Sequence, residues 1–362
     1  MMDEPSSPTD KEKAMKVFLT GGTGFIGQPL AGALLRRGWE VTALIRKPES
    51  AQAQNLRQMG ATLSKGDVTE RESMRAGMLG ADIVVHNAGV YEYGLDAAGA
   101  RRAREINVTG TENTLGLALE LKIPRSIYIS TVWAYGDSGR ESRDETFKRQ
   151  APFYSAYEQT KTEAHTIAEA YQQRGLPLAI ICPNGVMGIN DHSAMGYFLR
   201  LFVNKRMPPM AWSPDSIYSF VELNDLVEGI VLAAERGQMG ETYFLCGEAK
   251  RFREHFAYWN DKPGGFKRRV WIPAGLAELA LWPLEPVQRA AGLPAFMSRE
   301  TVRGGSVNLN YSGAKAQREL GWTYKSAREM WHTILDGEIE LAAKRRDRSF
   351  MSRLKPVEIG AP

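Results

Sequence analysis

The sequence predicts an α/β fold built on a doubly wound parallel sheet. Up to about residue 183, short β-branched runs alternate with stretches of helical spacing. The predicted strands are apolar on both sides, which is typical of a parallel sheet covered by helices on both faces. A glycine-rich turn joins the first strand to the first helix. We therefore expect ligand sites at the carboxyl ends of these strands.

Composition limits the classes of protein to consider. The chain has 362 residues and a formal net charge of +4, too weak and too dispersed to predict a nucleic-acid groove. Its two cysteines match no CxxC spacing and its five histidines show no ligand spacing, so neither disulfides nor a metal site is predicted. No apolar run approaches the roughly 20 residues of a membrane span. We expect a soluble, cytoplasmic protein with a small-molecule substrate and no nucleic-acid partner.

Six strands are predicted before the regular alternation of strands and helices ends at Pro183, and a seventh follows later. In chain order, their sequences are KVFLT, EVTALIR, ATLSKGD, DIVVHNA, SIYIST, PLAIICP and ETYFLCG. Helical spacing predicts helices over 25–37, 101–121 and 225–236. Because the last of these precedes the seventh strand, we expect the chain to return there to the main sheet.

Two pairs of residues have the spacing of a capping box, in which a hydroxyl and a carboxylate satisfy the first N–H groups of a helix. Thr69 and Glu72 predict the start of the third helix. Ser326 and Glu329 predict the start of the last one.

The alternation of strands and helices, together with composition, divides the chain into four predicted parts. They are a disordered leader over 1–14, a sheet domain over 15–183, a mixed region over 184–343 and a basic tail over 344–362. Within the mixed region, about 220–247 returns to the sheet, and about 190–215 and 251–325 form a cap over a pocket. The basic tail is predicted to be solvated, with contact to a membrane surface as the alternative.

The stretch TGGTGFIG follows a strand and opens a helix, which is the context that a dinucleotide-binding fingerprint requires. Helix N-terminal N–H groups attract a pyrophosphate, and glycines let the backbone approach it closely. A tight turn without a ligand is the alternative. We predict a Rossmann-type NAD(P)-binding domain whose turn contributes Gly21, Thr23, Gly24, Phe25, Ile26 and Gly27.

The end of the second strand indicates which dinucleotide binds. Ile45 stands where NAD-binding proteins place an acidic residue, and Arg46 and Lys47 follow it. Cations near a ribose 2′-phosphate favour NADP(H), with NAD(H) possible; the alternative is that both residues only solvate the end of a loop. Asp67, followed by Val68, is placed for the adenosine, although an Asp before a helix is as often a cap.

Tyr157 and Lys161 are four residues apart, so on a helix they project from one face. An ammonium near a phenol lowers the phenol pKa from its ordinary value near 10, which would allow proton exchange near neutral pH. An exposed pair is the alternative. Ser130 and Thr131 end the fifth strand, where such sheets build ligand sites.

Several motifs occur in order along the chain. They are TGGTGFIG, GDV, VVHNAG, INVTGTENTL, YISTVWAYG, YEQTK, CPNGVMG, SFVELNDLVEGI and AKAQRELGW. In these motifs, over roughly 16–340, the chain resembles the short-chain dehydrogenase/reductase superfamily, in its extended branch of NAD(P)-dependent epimerases, dehydratases and reductases. The resemblance implies a smaller C-terminal substrate-capping region. It also implies a homodimer formed through helices near 101–121 and 154–174.

The resemblance assigns roles to single residues. Tyr157 is implied as general acid/base, Lys161 as its electrostatic partner and a ligand of the nicotinamide ribose, and Thr131, rather than Ser130, as the catalytic hydroxyl. Asn107 is implied either to take part in a proton relay or to make a hydrogen bond within its helix. Positions along the cofactor are implied for Ala88, Gly89, Pro183 and Val186.

Three functions remain open at this point. The first is an NADP(H)-dependent oxidoreductase of an apolar hydroxy or keto compound, similar to dihydroflavonol reductases and 3β-hydroxysteroid dehydrogenases. The second is a nucleotide-sugar epimerase or dehydratase, and the third is a non-catalytic dinucleotide sensor. Cys182, Tyr218 and Ser219 stand where many nucleotide-sugar enzymes have arginine, and Glu222 replaces a frequent histidine, which favours the first. Its substrate wall is predicted to include Tyr91, Tyr93, Thr131, Met187 and Tyr197, together with part of the apolar stripe of 261–303, although such a stripe is more often core than pocket.

Overall fold

A computed structural model describes residues 14–92, 94–150, 152–293, 296–345 and 348–356. The strands are β1 (Lys16–Thr20), β2 (Glu40–Ile45), β3 (Thr62–Lys65), β4 (Ile83–His86), β5 (Arg125–Ile129), β6 (Leu178–Pro183), β7 (Val186–Met187), β8 (Met210–Trp212), β9 (Ile217–Tyr218), β10 (Val221–Glu222), β11 (Thr242–Leu245), β12 (Lys250–Arg251) and β13 (Val270–Ile272). The predicted leader and Tyr93 lie outside the described residues, apart from Ala14.

The helices begin and end close to the predicted bounds in the first part of the chain. They are α1 (Gly27–Arg36), α2 (Ala51–Gln58), α3 (Arg71–Met78), α4 (Ala97–Arg104), α5 (Gly110–Glu120), α6 (Ala156–Gln173), α7 (Ala194–Val203), α8 (Leu223–Arg236), α9 (Phe252–Trp259), α10 (Ala274–Leu281), α11 (Leu284–Ala290), α12 (Arg299–Gly304), α13 (Ala314–Leu320), α14 (Ala327–Lys344) and α15 (Phe350–Leu354).

The central sheet has seven parallel strands in the order β11–β6–β5–β4–β1–β2–β3. The chain winds outwards from β1 in both directions, which makes the sheet doubly wound and leaves a crevice at the carboxyl ends of β1 and β4. All seven predicted strands are present, and the predicted fold class is confirmed. In the structure β11 is the edge strand beside β6, and α8 packs on one face of the sheet.

Alternating side chains along each strand enter two different cores. Leu19 and Val85 pack with α1 and α8 on one face of the sheet. Phe18 and Val84 pack with α3, α5 and α6 on the other. Because both faces are covered, the strands are apolar on both sides, as the sequence indicated.

The predicted helix over 101–121 is interrupted. Residues Glu105–Thr109 form a π turn between α4 and α5. Asn107 lies in this turn and makes its side-chain hydrogen bonds to residues outside the helix. Such a widened turn often marks a functional position.

One predicted capping box is wrong and the other is confirmed. The Thr69 hydroxyl and N–H both donate to the Asp67 carboxylate, so Thr69 does not cap α3, which begins at Arg71 without a side-chain cap. At α14, Ser326 and Glu329 form the reciprocal box that the sequence predicted.

The described part of the basic tail is not a solvated extension. Residues 350–354 form α15, and Leu354 is buried. The buried guanidinium of Arg200 in α7 donates to the Leu354 carbonyl at 2.6 Å, and Arg345 donates to the Lys355 carbonyl at 2.8 Å. Buried arginines need such acceptors. The Arg200 bond therefore holds the tail against α7, whereas the Arg345 bond lies within the tail itself.

Candidate active site

A cleft of about 960 Å³ crosses the carboxyl ends of the central strands. Most of the residues predicted to bind the cofactor line it: Gly21, Thr23, Gly24, Phe25, Ile26, Arg46, Asp67, Val68, Ala88, Gly89, Tyr157, Lys161, Pro183 and Val186. Thr131, Tyr91, Met187 and Tyr197 also line it. Gly27, Lys47 and Asn107 are not among the residues that line it.

The glycine turn has the backbone that close approach requires. Gly21 has a φ of +69°, and a Cβ there would lie 2.7 Å from the Ala88 nitrogen. A Cβ at Gly27 would overlap the Gly21 carbonyl oxygen. The Asn87 side chain donates to that carbonyl at 3.2 Å, and the Ala88 N–H donates to the Thr20 hydroxyl at 3.1 Å. The turn is therefore locked to the loop after β4, with the N-terminus of α1 facing the cleft, and fits a dinucleotide pyrophosphate.

The two cations after β2 are placed differently. Arg46 is exposed and lines the cleft, whereas Lys47 is exposed away from it. In the described ranges, no carboxylate lies within ion-pair distance of Arg46. The Asp67 carboxylate also borders the cleft, but it accepts two hydrogen bonds from Thr69 and so shapes its own turn.

Tyr157 and Lys161 project from the first turns of α6, whose N-terminus is capped by Ser155. Tyr157 is 8% exposed and Lys161 is 6% exposed, so the alternative of an exposed pair is wrong. The Lys161 ammonium donates to the Ile129 carbonyl at 3.0 Å and to the Tyr128 hydroxyl at 3.3 Å. These two bonds fix the charge at the end of β5, beside the phenol.

Burial dominates the acidity of the phenol. It raises the pKa of Tyr157 to about 12, although Lys161 and a hydrogen bond with Thr131 act in the opposite direction. Burial also lowers the pKa of Lys161, while Tyr157 raises it. The expected net lowering of the phenol pKa is therefore wrong, because the loss of water around the phenolate outweighs the attraction of the ammonium.

The two hydroxyl residues at the end of β5 have different partners. The Thr131 hydroxyl accepts from the Trp133 N–H at 3.3 Å and lies 3.4 Å from the Pro183 carbonyl. The Ser130 hydroxyl is bonded to His165 at 2.9 Å. Burial lowers the pKa of His165 to about 3, so its ring is neutral. Thr131, rather than Ser130, is the hydroxyl whose bonding reaches Tyr157.

Asn107 ties the loop after β4 to α6. Its Oδ1 accepts from the Val90 N–H at 2.8 Å, and its Nδ2 donates to the Val90 carbonyl and the Thr160 hydroxyl, each at 3.1 Å. The partners of these side-chain bonds lie outside its own helix, so they are not hydrogen bonds within that helix. They fix the loop bearing Gly89 and Tyr91 against the helix that bears Tyr157.

A second, apolar cavity of about 160 Å³ adjoins the cleft and lies under the cap. The two share part of their walls, namely Tyr91, Trp133, Gly185, Met187 and Ser193. The Tyr91 ring stands edge-on to the Tyr157 ring, with centroids 4.8 Å apart. In the part of the chain that the structure describes, no residue lining this cavity carries a formal charge.

The cap stripe of 261–303 divides between cavity and surface. Ile272, Ala277, Leu281 and Met297 line the cavity, whereas other members are exposed. Tyr197, predicted for the substrate wall, borders the cleft instead and stacks on Phe296 with centroids 4.7 Å apart.

Several residues of the site were missed from the sequence. Asn87 closes the glycine turn by donating to the Gly21 carbonyl, a contact that no local spacing in the sequence indicates. Trp133, Phe198, Phe220 and Phe252 line the apolar cavity. These four residues come from separate elements, so no local spacing in the sequence connects them.

The comparisons with known proteins agree with this arrangement. A ketoreductase of 4-hydroxy-2-methyl-3-oxo-4-farnesyl-3,4-dihydroquinoline-1-oxide from Stigmatella aurantiaca is 32% identical over 85% of this chain and 92% of its own. Sterol demethylase protein B from Methylococcus capsulatus is 28% identical over 87% of this chain and 95% of its own. The crystal structure of a dTDP-glucose 4,6-dehydratase from Streptomyces venezuelae superposes with a TM-score of 0.73 at 21% identity, covering 91% of this chain and 98% of that one.

A model of the NAD-dependent epimerase/dehydratase family matches residues 17–246. This match spans most of the sheet domain, including the glycine turn, Tyr157 and Lys161. With a relative of 32% identity aligned over most of both chains, it shows that this chain belongs to the NAD-dependent epimerase/dehydratase family and is an NAD(P)-dependent oxidoreductase.

Proposed function

We propose that this chain is an NADP(H)-dependent oxidoreductase that interconverts a carbonyl and a hydroxyl on a bulky, apolar small molecule. The observation that carries the proposal is the uncharged, aromatic-lined cavity that opens beside Tyr157. Substrate pockets are mostly apolar, with a few polar groups that fix orientation. Here Thr131 and Tyr157 are those groups.

The cleft residues fit a nicotinamide dinucleotide. The glycine turn and the N-terminus of α1 would hold the pyrophosphate, and Lys161 the nicotinamide ribose. Arg46 would meet a ribose 2′-phosphate, which favours NADP(H) over NAD(H). When bound, the dinucleotide supplies or accepts the hydride.

Tyr157 moves the proton. A phenol with a pKa of about 12 keeps its proton at neutral pH. The Lys161 ammonium and the Thr131 hydroxyl act to lower this pKa and so favour donation of the proton to the substrate oxygen as a carbonyl is reduced. The Thr131 hydroxyl stabilises the negative charge that develops on that oxygen; one such donor typically contributes about 3 kcal/mol to lowering the barrier. Lys161, fixed by Ile129 and Tyr128, stabilises the phenolate that remains.

The nucleotide-sugar alternative needs a partner for a diphosphate. A buried pyrophosphate without a cation is costly. At the position where many nucleotide-sugar enzymes have an arginine, the cavity wall has Tyr218, whose hydroxyl donates to the Gly304 carbonyl. The nearby guanidinium of Arg269 is behind the wall, stacked 4.5 Å from the Phe256 ring centroid. The relatives named as a ketoreductase and as a sterol demethylase protein also favour the apolar substrate.

A substrate panel with the purified chain tests the proposal. With NADPH we expect reduction of bulky apolar ketones, such as steroid or flavanone ketones, and no turnover of UDP-glucose or UDP-galactose. The Tyr157→Phe variant, which keeps the ring, serves as the matched control and should lose the reductase activity. Turnover of a UDP-hexose at a kcat/KM on the order of 10⁴ M⁻¹s⁻¹, the low end for ordinary enzymes, would replace the proposal by its alternative.

A further inference from the structure

The stretch 266–290, which carries β13, α10 and α11, has an unusually apolar outer surface. Seven of its large apolar side chains are exposed: Phe266, Val270, Leu276, Leu279, Trp282, Leu284 and Val287. Fifteen such side chains are exposed in the described part of the chain, so nearly half of them fall within this short stretch. We name these seven residues the cap face. Concentrated apolar surface of this kind marks an interaction site.

Helix α10 has one apolar side that faces the cavity and a second apolar side that is exposed. Ala277 and Leu281 are four residues apart and face the apolar cavity. Leu276, Leu279 and Trp282 follow at three-residue intervals on the other side and are 58%, 68% and 59% exposed. A helix that is apolar all round is normally covered all round. In the described chain, α10 has such cover on its inner side alone, so the outer side requires an external partner.

The charges around the cap face identify the partner. The exposed charged side chains of the stretch are all basic: Lys267, Arg268 and Arg289. Lys267 and Arg289 donate to backbone carbonyls, those of Asn260 and Gly94, and so keep their net charge at the surface. Its two acids are only half-exposed and engaged, since Glu278 pairs with Arg303 at 3.1 Å and Glu285 accepts from the Arg299 N–H at 3.2 Å. The Arg299 guanidinium lies 5.8 Å from the Trp282 ring centroid. Outward-facing leucines and a tryptophan among basic residues are the pattern of an interfacial helix on anionic lipid.

We propose that the cap face docks on the surface of an anionic phospholipid bilayer, with its leucines and Trp282 entering the headgroup region and its basic residues meeting the lipid phosphates. A second copy of the chain fits less well, because two such faces would bring like charges together. The structure contains no helix in its described ranges that could cross a membrane, so this contact is with the surface. The proposal does not depend on the substrate.

Vesicle sedimentation of the full chain tests the proposal. We expect co-sedimentation with vesicles of phosphatidylcholine and phosphatidylglycerol, and much less with phosphatidylcholine alone. Leu279→Asp should lower the partition coefficient at least about tenfold. The matched control is Leu79→Asp, since Leu79 is 70% exposed at the end of α3, far from the cap face in sequence. Unfolding temperatures of both variants check that each is folded.

A second pair of variants tests the charge. Arg268→Glu should weaken binding to the anionic vesicles roughly tenfold, and Arg57→Glu, an exposed arginine in α2, should not. The proposal is wrong if the chain stays in the supernatant with anionic vesicles, or if each control loses as much binding as its partner. It is also wrong if Leu279→Asp leaves sedimentation unchanged and instead dissociates an oligomer on size exclusion, which would identify a second copy as the occupant.

Discussion

Replacing Arg46 by Ala tests the cofactor preference. The Arg46 side chain lines the cleft beyond β2, and among the described residues no carboxylate neutralises it, so it is available for the 2′-phosphate that distinguishes NADPH from NADH. Hydrogen bonds to charged groups contribute about 1.5–3 kcal/mol. Because Arg46 is exposed, we take the lower half of that range, which corresponds to roughly 10- to 50-fold weaker NADPH binding. NADH binding should change little.

Lys47 provides the matched control for this experiment. It carries the same charge, is exposed and is the next residue in the chain, but it does not line the cleft. We expect Lys47→Ala to weaken NADPH binding by less than about threefold, the scale of a screened surface charge. Fluorescence titration of each variant with NADPH and NADH gives the four dissociation constants. Added salt should weaken NADPH binding to the wild type more than to Arg46→Ala.

Two results would refute the reasoning. Equal losses for NADPH and NADH in Arg46→Ala would show that the guanidinium does not read the 2′-phosphate. A larger loss of NADPH affinity in Lys47→Ala than in Arg46→Ala would show that Lys47, and not Arg46, contacts the 2′-phosphate.

Three further changes have defined outcomes. Tyr157→Phe should lower kcat at least about 100-fold with little change in dinucleotide affinity, and retention of more than a tenth of kcat would exclude Tyr157 as the acid. Gly27→Ala should abolish dinucleotide binding, because its Cβ overlaps the Gly21 carbonyl, whereas Gly275→Ala, with open space around it, should bind normally in the same titration. His255, held neutral between an indole donor and a backbone acceptor, has its pKa lowered to about 4 by burial. The unfolded chain therefore binds more protons, and His255 should lower the free energy of unfolding by up to about 1.4 kcal/mol per pH unit as pH falls from 6.5 towards 4. Denaturant titrations should show a shallower pH dependence for His255→Gln; an unchanged slope would contradict the assignment.

The sheet and the cleft could be predicted because their signals are local. Each strand is a short apolar run, and the glycine turn and the Tyr157–Lys161 spacing lie within single elements. The π turn around Asn107 could not be predicted, because the contacts that favour it, to Val90 and Thr160, are distant in sequence. The failed capping box at Thr69 has a similar cause, since the Asp67 carboxylate competes for its hydroxyl.

The apolar cavity could be predicted only in outline. Its aromatic wall combines Trp133 after β5, Phe198 in α7 and Phe252 in α9. Each of these residues reads locally as core, and the tertiary fold alone decides which of them face a cavity. The prediction for the tail was wrong for a related reason. Its basic composition indicates solvation, but the buried Arg200 of α7, distant in sequence, takes a hydrogen-bond acceptor from the tail backbone at Leu354.

The apolar surroundings of the cavity also bear on the protonation state of the neighbouring Tyr157. The cap and the loop bearing Tyr91 enclose an uncharged cavity next to Tyr157, and an environment of this kind disfavours a phenolate. Burial raises the pKa of Tyr157 to about 12, so the phenol is protonated at neutral pH, and the nearby Lys161 ammonium acts in the opposite direction and favours release of the proton. A wall altered to admit a hydrated diphosphate would bring water and cations towards the phenol and lower this pKa. The polarity of the cavity wall and the acidity of Tyr157 are therefore physically coupled in this site.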